Sequence, residues 1–410
     1  MTTEPTPAEP ETKREEPWLT PGVKGIGSAS FLADVGHEIP TALLPSLLTS
    51  TLGAPAAALG AIEGISDALA GAARFGGGVL ADDPARRRKV AVGGYATTAV
   101  LGAATAGATA VWQVGLLRAA AWTARGLRVP ARNALLADIV PAKAYGRAYG
   151  FERMMDNLGA IFGPLLALGL VAWLGVQWAI GLSVIPGLLA AAAIVYAIRK
   201  TPRPTSRDKV PLKIRIKPVL KGDLGRLLAS VAAFEVGNVA ATLLILRASE
   251  LLTPGHGTKT ATTIALGLYT AYNIAATIAS VPAGRLSDKL GARGPVLVLA
   301  AGIAAFALAY GLFTTDATTI TLLAIPFVLA GIGIGAVETA QHSAVAALAP
   351  KNLRGSAFGM LATVQSLGNL AASTIAGVLW TLISPAAAFT YLTAWMVLAL
   401  AGLLISARRR

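Results

Sequence analysis

About twelve stretches of roughly 20 residues, each apolar and poor in charge, follow one another along this chain, and that repetition leaves few folds open. Their limits fall near 25–49, 57–81, 90–110, 111–135, 147–173, 177–199, 225–250, 262–286, 295–314, 318–343, 355–380 and 386–407. A helix of about 20 apolar residues crosses the hydrocarbon core of a bilayer, and in lipid every backbone polar group must be paired inside the structure. The chain is 54% hydrophobic and only 14% charged. Soluble domains carry roughly 45–50% and about 25%. The prediction is an all-α integral membrane protein with twelve transmembrane helices. There is no cysteine, which excludes disulfides and thiolate metal sites.

Charge gives the organisation. Residues 1–20 are polar and rich in Thr, Glu and Pro, without the basic start and apolar core of a secretory signal, and read as a disordered cytoplasmic tail. Residues 200–224 form a basic cytoplasmic linker between two six-helix halves, 21–199 and 225–410. Even-numbered loops hold Arg86, Arg87, Arg88 and Lys89, then Lys143 and Arg147, Lys289 and Arg293, and Lys351 and Arg354. Odd-numbered loops hold almost none, Lys259 being the clear exception. The positive-inside rule therefore predicts cytoplasmic termini and a multi-pass protein of the plasma (cytoplasmic) membrane. The net charge of +14 has the same origin, so nucleic acid is not expected as a partner and the lipid bilayer is. Within the linker, KIRIK and IKPVLK read either as a solvated tether or as a basic segment lying on anionic lipid.

The halves resemble each other. GGVLADDPARRR at 77–88 aligns with AGRLSDKLGAR at 283–293, setting Gly78 on Gly284 and Asp82 on Asp288. AYGRAYGF at 144–151 aligns with LRGSAFGM at 353–360. DVGH at 34–37 aligns with EVGN at 235–238, setting Asp34 on Glu235 and His37 on Asn238. Matches in the same order and direction describe a parallel repeat, an architecture that offers one cavity between two rocking halves.

On these motifs the chain resembles the major facilitator superfamily over roughly residues 20–407. Gly78, Leu80, Ala81, Asp82, Ala85, Arg86 and Arg87 follow that family's loop signature between its second and third helices. Asp83 departs from it where a basic residue is usual, and Ala85 replaces a glycine. The resemblance implies a two-half fold working by alternating access. It also implies a cytoplasmic latch of Gly78, Asp82 and Arg86 in the first half and Gly284, Asp288 and Arg293 in the second. Arg86 reads equally as a topology determinant. Gly159, Gly163 and Pro164 resemble the fifth-helix signature of proton-coupled antiporters, although small residues at this spacing also serve plain helix packing. Arg118 matches a fourth-helix arginine of the same group, but Trp122 stands where a glycine is expected.

Ionisable residues inside the spans are the remaining signal, because each costs about 2.5–3.5 kcal/mol at a helix centre on insertion scales. At 1.5 Å per residue, Asp34 and Asp67 fall near mid-membrane, with Glu38, Glu63 and Arg118 a turn further out. Glu235 lies near the midplane of the seventh span, and Tyr269 and Asn273 repeat the spacing of Glu63 and Asp67. Several acids at one depth cannot all stay ionised cheaply. Asp34, with Asp67 second, is the predicted proton-coupling group. Asp34, His37, Glu38, Glu63, Asp67, Arg118, Glu235, Asn238, Tyr269 and Asn273 are the predicted substrate-binding set. Glu38, Glu63 and Arg118 read equally as a structural ion-pair network, and His37 as a histidine held by a helix hydrogen bond. Arg125, Arg128 and Arg132 are expected to snorkel toward the cytoplasm. Arg153 and Asp156 are expected to pair with each other or with a neighbour. Glu338, Gln341 and His342 read as polar groups of the cytoplasmic gate.

Enzyme signatures are missing. GIGIGA at 331–336 has no preceding strand and lies inside a span, there is no P-loop, and no cofactor is called for. The functional expectation is a secondary active transporter, a proton-coupled antiporter exporting a small cationic or amphipathic organic molecule. Its partners are protons and a small-molecule or cation substrate. A divalent-metal exporter using Asp34, His37, Glu38 and Asp67 is the second transport reading. A non-transporting membrane sensor or scaffold is the reading from another class.

Overall fold

The computed structural model describes residues 17–201 and 216–408, so residues 1–16 of the polar tail, most of the linker and the last two arginines lie outside the described residues. The first half contains α1 (Pro21–Ser46), α2 (Ala56–Leu80), α3 (Pro84–Ala104), α4 (Val111–Ile139), α5 (Tyr145–Leu174) and α6 (Val176–Arg199, with a turn at Ser183). The second contains α7, which is broken into Gly222–Glu235 and Ala241–His256. It continues with α8 (Thr258–Lys289), α9 (Gly294–Phe313), α10 (Ile320–Leu348), α11 (Arg354–Leu382) and α12 (Pro385–Arg408). Seven of these helices are long and apolar enough to cross a membrane on composition alone. Among those that fall short are α1, α2 and α4, which carry Asp34, Glu38, Glu63, Asp67 and a series of arginines.

Local chemistry sets the helix starts. Thr20 caps α1 by accepting from the Val23 N–H at 3.4 Å, with Pro21 at the first position. Asp83 caps α3 by accepting from Ala85 N–H at 2.8 Å and Arg86 N–H at 3.3 Å, followed by Pro84. The residue that broke the loop signature is therefore a helix cap, and a basic side chain there would leave those amides unpaired.

Packing repeats between the halves. In the first, α1 lies on α5 and α6, α2 on α4, and α3 on α4 and α6. In the second, α7 lies on α11, α8 on α10, and α9 on α10 and α12. The halves meet along two equivalent seams, α2 against α11 and α5 against α8. Glycines bring these backbones together. A Cβ added at Gly78 would sit 2.7 Å from the Gly355 carbonyl oxygen, and one at Gly284 would sit 2.1 Å from that of Gly146. Both close approaches lie at the end that carries the basic loops. Toward the opposite end α2 stays on α4, with Ile62 facing Gly115, while a Cβ on Gly60 or Gly64 meets nothing within 4 Å.

The outer surface suits lipid. Leu168, Leu382 and Leu398 are exposed, and Trp112, Trp173 and Trp178 stand exposed at the end opposite the basic loops. Tryptophans collected at one level mark a membrane–water interface.

Candidate functional site

The two motif aspartates do the same work in the two halves. Asp82 reaches across the seam to the first turn of α11, accepting from Ser356 N–H at 2.8 Å and from its hydroxyl at 2.5 Å. Asp288 reaches across the other seam to the first turn of α5, accepting from Gly146 N–H at 2.7 Å and from Arg147 N–H and Nε at 2.9 Å each. Each carboxylate thus satisfies amides that a helix start leaves unpaired, at the positive end of the helix dipole. Both bonds join one half to the other and close the basic end.

The arginines of this latch differ from the expected ones. Arg86 stays with its own loop, 3.6 Å from Asp83 and partly exposed. Arg87 is the buried one: its Nε donates to the Ala81 carbonyl at 2.6 Å and its Nη1 pairs with Asp138 at the end of α4. The helical turn after the Asp83 cap points position 87 inward and position 86 outward. Arg293 is exposed on a short turn, and Asp288 takes Arg147 instead. Arg354 crosses from α11 to the Ala137 carbonyl at 3.0 Å, Asp138 at 3.1 Å and the Tyr145 hydroxyl at 2.5 Å. Asp138 and Arg354 went unrecognised in the sequence, where both sit among ordinary loop charges.

Deeper in the first half, α4 presents a ladder of arginines. Arg118 pairs with Glu63 at 2.9 Å and donates to the Thr41 hydroxyl at 3.1 Å. Arg125 pairs with Asp34 at 3.2 Å. Trp122 lies between them, with the two guanidinium carbons 4.9 and 5.3 Å from its ring centroid. That cation–π sandwich gives the tryptophan a role a glycine cannot fill. Arg128 stacks on Tyr95 at 4.0 Å. Arg132 bonds Ser30 at 3.0 Å, Glu152 at 2.8 Å and Asp156 at 3.3 Å. Arg128 and Arg132 are buried rather than snorkelling, because acids and an aromatic face inside the bundle receive them.

Arg153 pairs with Asp156 at 3.1 Å, as its spacing suggested, and also grips Glu152 at 2.7 Å. It then reaches Glu338 of the second half at 3.7 Å. His342 sits a turn on, its Nδ1 2.7 Å from the Glu338 carbonyl and its ring stacked on Phe358. Glu152 was not singled out from the sequence. Its only signal was its place beside Arg153, four residues before Asp156.

Asp34 and Glu235 are buried, and each lies against a glycine of the neighbouring helix. A Cβ at Gly159 would sit 2.7 Å from that of Asp34, and one at Gly368 only 2.3 Å from that of Glu235. Gly163 makes the same room for Glu38, at 2.4 Å. The glycines of α5 thus press on the acid-bearing face of α1, and Pro164 continues the helix beyond them. The two acids differ in their partners. Asp34 has Arg125. Glu235 has only amides: Asn238 Nδ2 donates at 2.9 Å and Gln341 Nε2 at 3.3 Å, with Gln365 donating to Gln341 in turn at 2.7 Å.

Glu235 is also the last residue before the break in α7, where a continuous span was expected. The freed backbone is paired by side chains from other helices. Val239 N–H donates to the Tyr310 hydroxyl at 3.3 Å, Ala240 N–H to the Ser373 hydroxyl at 3.0 Å, and Asn369 donates to the Asn238 carbonyl at 2.9 Å. Non-helical backbone at membrane depth persists only where protein pairs it or where it lines a cavity. Apolarity alone gave no hint of this break. The Gly237–Asn238 pair was its one local signal.

The other expected binding residues are spread out. Glu38 is half-buried and makes no ion pair or hydrogen bond among the described residues. Asp67 is exposed on α2. Tyr269 stacks on Tyr272 with centroids 5.6 Å apart, and Asn273 donates to the Tyr269 carbonyl at 3.1 Å. His37 is buried edge-on against Trp122, at 4.9 Å. Asp34, His37 and Glu38 share a helix face but not a ligand: one goes to Arg125, one to Trp122, one to neither. Among the described residues no three His, Cys, Asp or Glu side chains come together to hold a metal ion. The geometry for the metal-exporter reading is therefore missing. The acids of the first half are balanced by arginines, while Glu235 and Glu338 add acid from the second half. Asp34, Glu38, Glu63, Asp67, Glu152 and Asp156 are matched in number by Arg74, Arg118, Arg125, Arg128, Arg132 and Arg153.

Two repeated six-helix halves, joined by reciprocal helix-capping latches and holding buried charge between them, define a membrane carrier. The Major Facilitator Superfamily description matches residues 26–252 and again 227–410, and the chain belongs to that family. It is 30% identical over 381 residues to an uncharacterised MFS-type transporter of Methanocaldococcus jannaschii, covering 91% of this chain and 92% of that protein. Its fold is similar to that of the human organic anion transporter MFSD10 (TETRAN), with a TM-score of 0.72 and 15% identity over 95% of this chain and 100% of that one. It is also similar to a bacterial homologue of the iron transporter ferroportin in its outward-facing state, with a TM-score of 0.70 and 13% identity over 94% and 99% of the two chains.

Proposed function

We propose that this transporter is a proton-coupled antiporter that exports a small amphipathic organic solute across the plasma membrane by alternating access. The basic end is taken as cytoplasmic from the loop charges, which makes the closed seams the cytoplasmic gate. The observation that carries the reading is Glu235. It is a buried carboxyl at the C-terminal end of a half-helix, where the dipole disfavours negative charge, with two amides and, among the described residues, no cation bonded to it. Such a group exchanges a proton at lower cost than one clamped by arginine. Asp34, its repeat mate, serves as the second coupling group, alternating between Arg125 and a proton. Broken helices at this depth form the substrate and ion sites of many carriers, which favours the space beside Glu235, Asn238 and Asn369 as the solute site.

The solute is given as amphipathic rather than cationic because arginines balance the acids of the first half. The test uses proteoliposomes with a pH-sensitive dye inside and a library of drugs and metabolites outside. A solute that drives proton movement in the parent protein, but exchanges without protons in Glu235→Gln, is the expected result. Unchanged proton coupling in both Glu235→Gln and Asp34→Asn would remove the assignment. No solute or proton movement across a broad library would favour a sensor or scaffold.

A further inference from the structure

Inside the first half, apart from the seams, a small cavity opens among α1, α3, α4 and α6. Its wall includes His37, Tyr95, Arg118, Trp122 and Arg128. Its volume is about 20 Å³, measured by where the centre of a water-sized sphere can sit. That suits one or two waters or one monatomic ion, since a single water needs roughly 10–15 Å³ on this measure.

Most of this wall is apolar, and three of its polar groups are donors without partners. The Tyr95 hydroxyl, Trp122 Nε1 and Arg128 Nε are all buried without a hydrogen-bond partner. Tyr95 is 1% exposed and Arg128 4%. The two threonines that face the cavity are already committed, Thr98 to the Gly94 carbonyl at 2.7 Å and Thr105 to the Gly102 carbonyl at 2.6 Å. Arg118 is held by Glu63. No carboxylate is part of the wall. Arg128 has no ion pair among the described residues, and its visible compensation is the Tyr95 ring. A buried cation beside unpaired donors is costly, and a cavity of this size and sign offers one economical remedy.

We propose that this cavity binds a single halide ion, chloride in the cell, held by Arg128, the Tyr95 hydroxyl and the Trp122 indole N–H. The ion neutralises Arg128 and fixes α1, α3 and α4 together. The site lies within one half and holds no coupling carboxyl in its wall, and its Arg128 also lies within the field of Asp34. A volume this small leaves no room for sulfate, phosphate or an organic anion.

The test is thermal unfolding of the full purified chain in detergent, at constant sodium, with gluconate replaced stepwise by chloride or bromide. The expected result is a saturable rise in Tm with either halide, absent with sulfate. In Tyr95→Phe, which keeps the ring under Arg128, the halide-dependent rise should shrink or vanish. In Arg128→Met the rise should be lost, and the variant in gluconate should unfold no lower than the parent, because an uncompensated charge has been removed. Should Arg128→Met fail to fold, Tyr95→Phe and Trp122→Phe still decide the matter. Equal Tm in gluconate and chloride means the cavity holds water and overturns the proposal. A halide effect that survives Tyr95→Phe and Trp122→Phe unchanged places the ion elsewhere and also overturns it.

Discussion

Replacing Asp288 by alanine should open the basic end, and the structure sets the size of the effect. The carboxylate bonds two amides of the first turn of α5 and pairs with Arg147. Loss of a helix cap costs about 1–2 kcal/mol. A partly exposed ion pair adds up to about 1 kcal/mol. The closed arrangement should thus weaken by about 1–3 kcal/mol, a shift of roughly 5- to 140-fold toward the open one. Arg147→Ala keeps the acceptor for both amides while removing the ion pair, with the Arg147 contacts to the Lys143 carbonyl and the Trp18 ring, and should shift the balance less than Asp288→Ala does. Asp288→Asn keeps an acceptor and should fall between. The chain contains no cysteine, so Lys143→Cys with Arg293→Cys gives two exposed labelling sites, one on each half, without further engineering. Pulsed electron–electron resonance in nanodiscs reads the distance between spin labels there. A new longer-distance population is expected in Asp288→Ala. A distribution indistinguishable from the parent's would refute the reasoning and assign closure to glycine packing alone.

Three further outcomes follow from the same geometry. Gly284→Val should prevent closure outright, because its Cβ would meet backbone rather than a movable side chain; locked-open spin-label distances and lost transport check this. Gly159→Ala forces α5 off α1 and should lower stability by about 1–3 kcal/mol, read as a drop in Tm. Arg87→Ala should destabilise by about 2 kcal/mol through its lost charged hydrogen bonds, whereas Arg86→Ala should stay within about 0.5 kcal/mol. Thermal unfolding that reversed this order would restore Arg86 to the latch.

Particular residues show how much was legible in the chain. Asp82 and Asp288 could be read as a pair because their repeat mates sit in matched sequence, and symmetry then carried one role to both. Asp34 could be read because an acid inside an apolar run is costly wherever it falls. Trp122 and Asp83 looked like departures from a pattern, since a pattern records neither a cation–π sandwich nor a helix cap. Arg128 and Arg132 were expected at the water interface because sequence gives depth along a helix but not direction around its neighbours.

The succession of apolar helices, their division into two repeated halves and the acids set inside apolar runs were legible in the sequence alone. These depend on hydropathy, on loop charge and on the 1.5 Å rise per residue, all of which are local. Tertiary structure alone decided that Arg87 and Arg147 serve the latch, that α7 breaks beside Glu235, and that Asp34 has a counter-ion while Glu235 has none. A hydrogen bond forms or fails within a few tenths of an ångström. Which groups come that close is settled by the packing of helices far apart in the chain, where a glycine at 159 or 368 matters as much as the acid it admits.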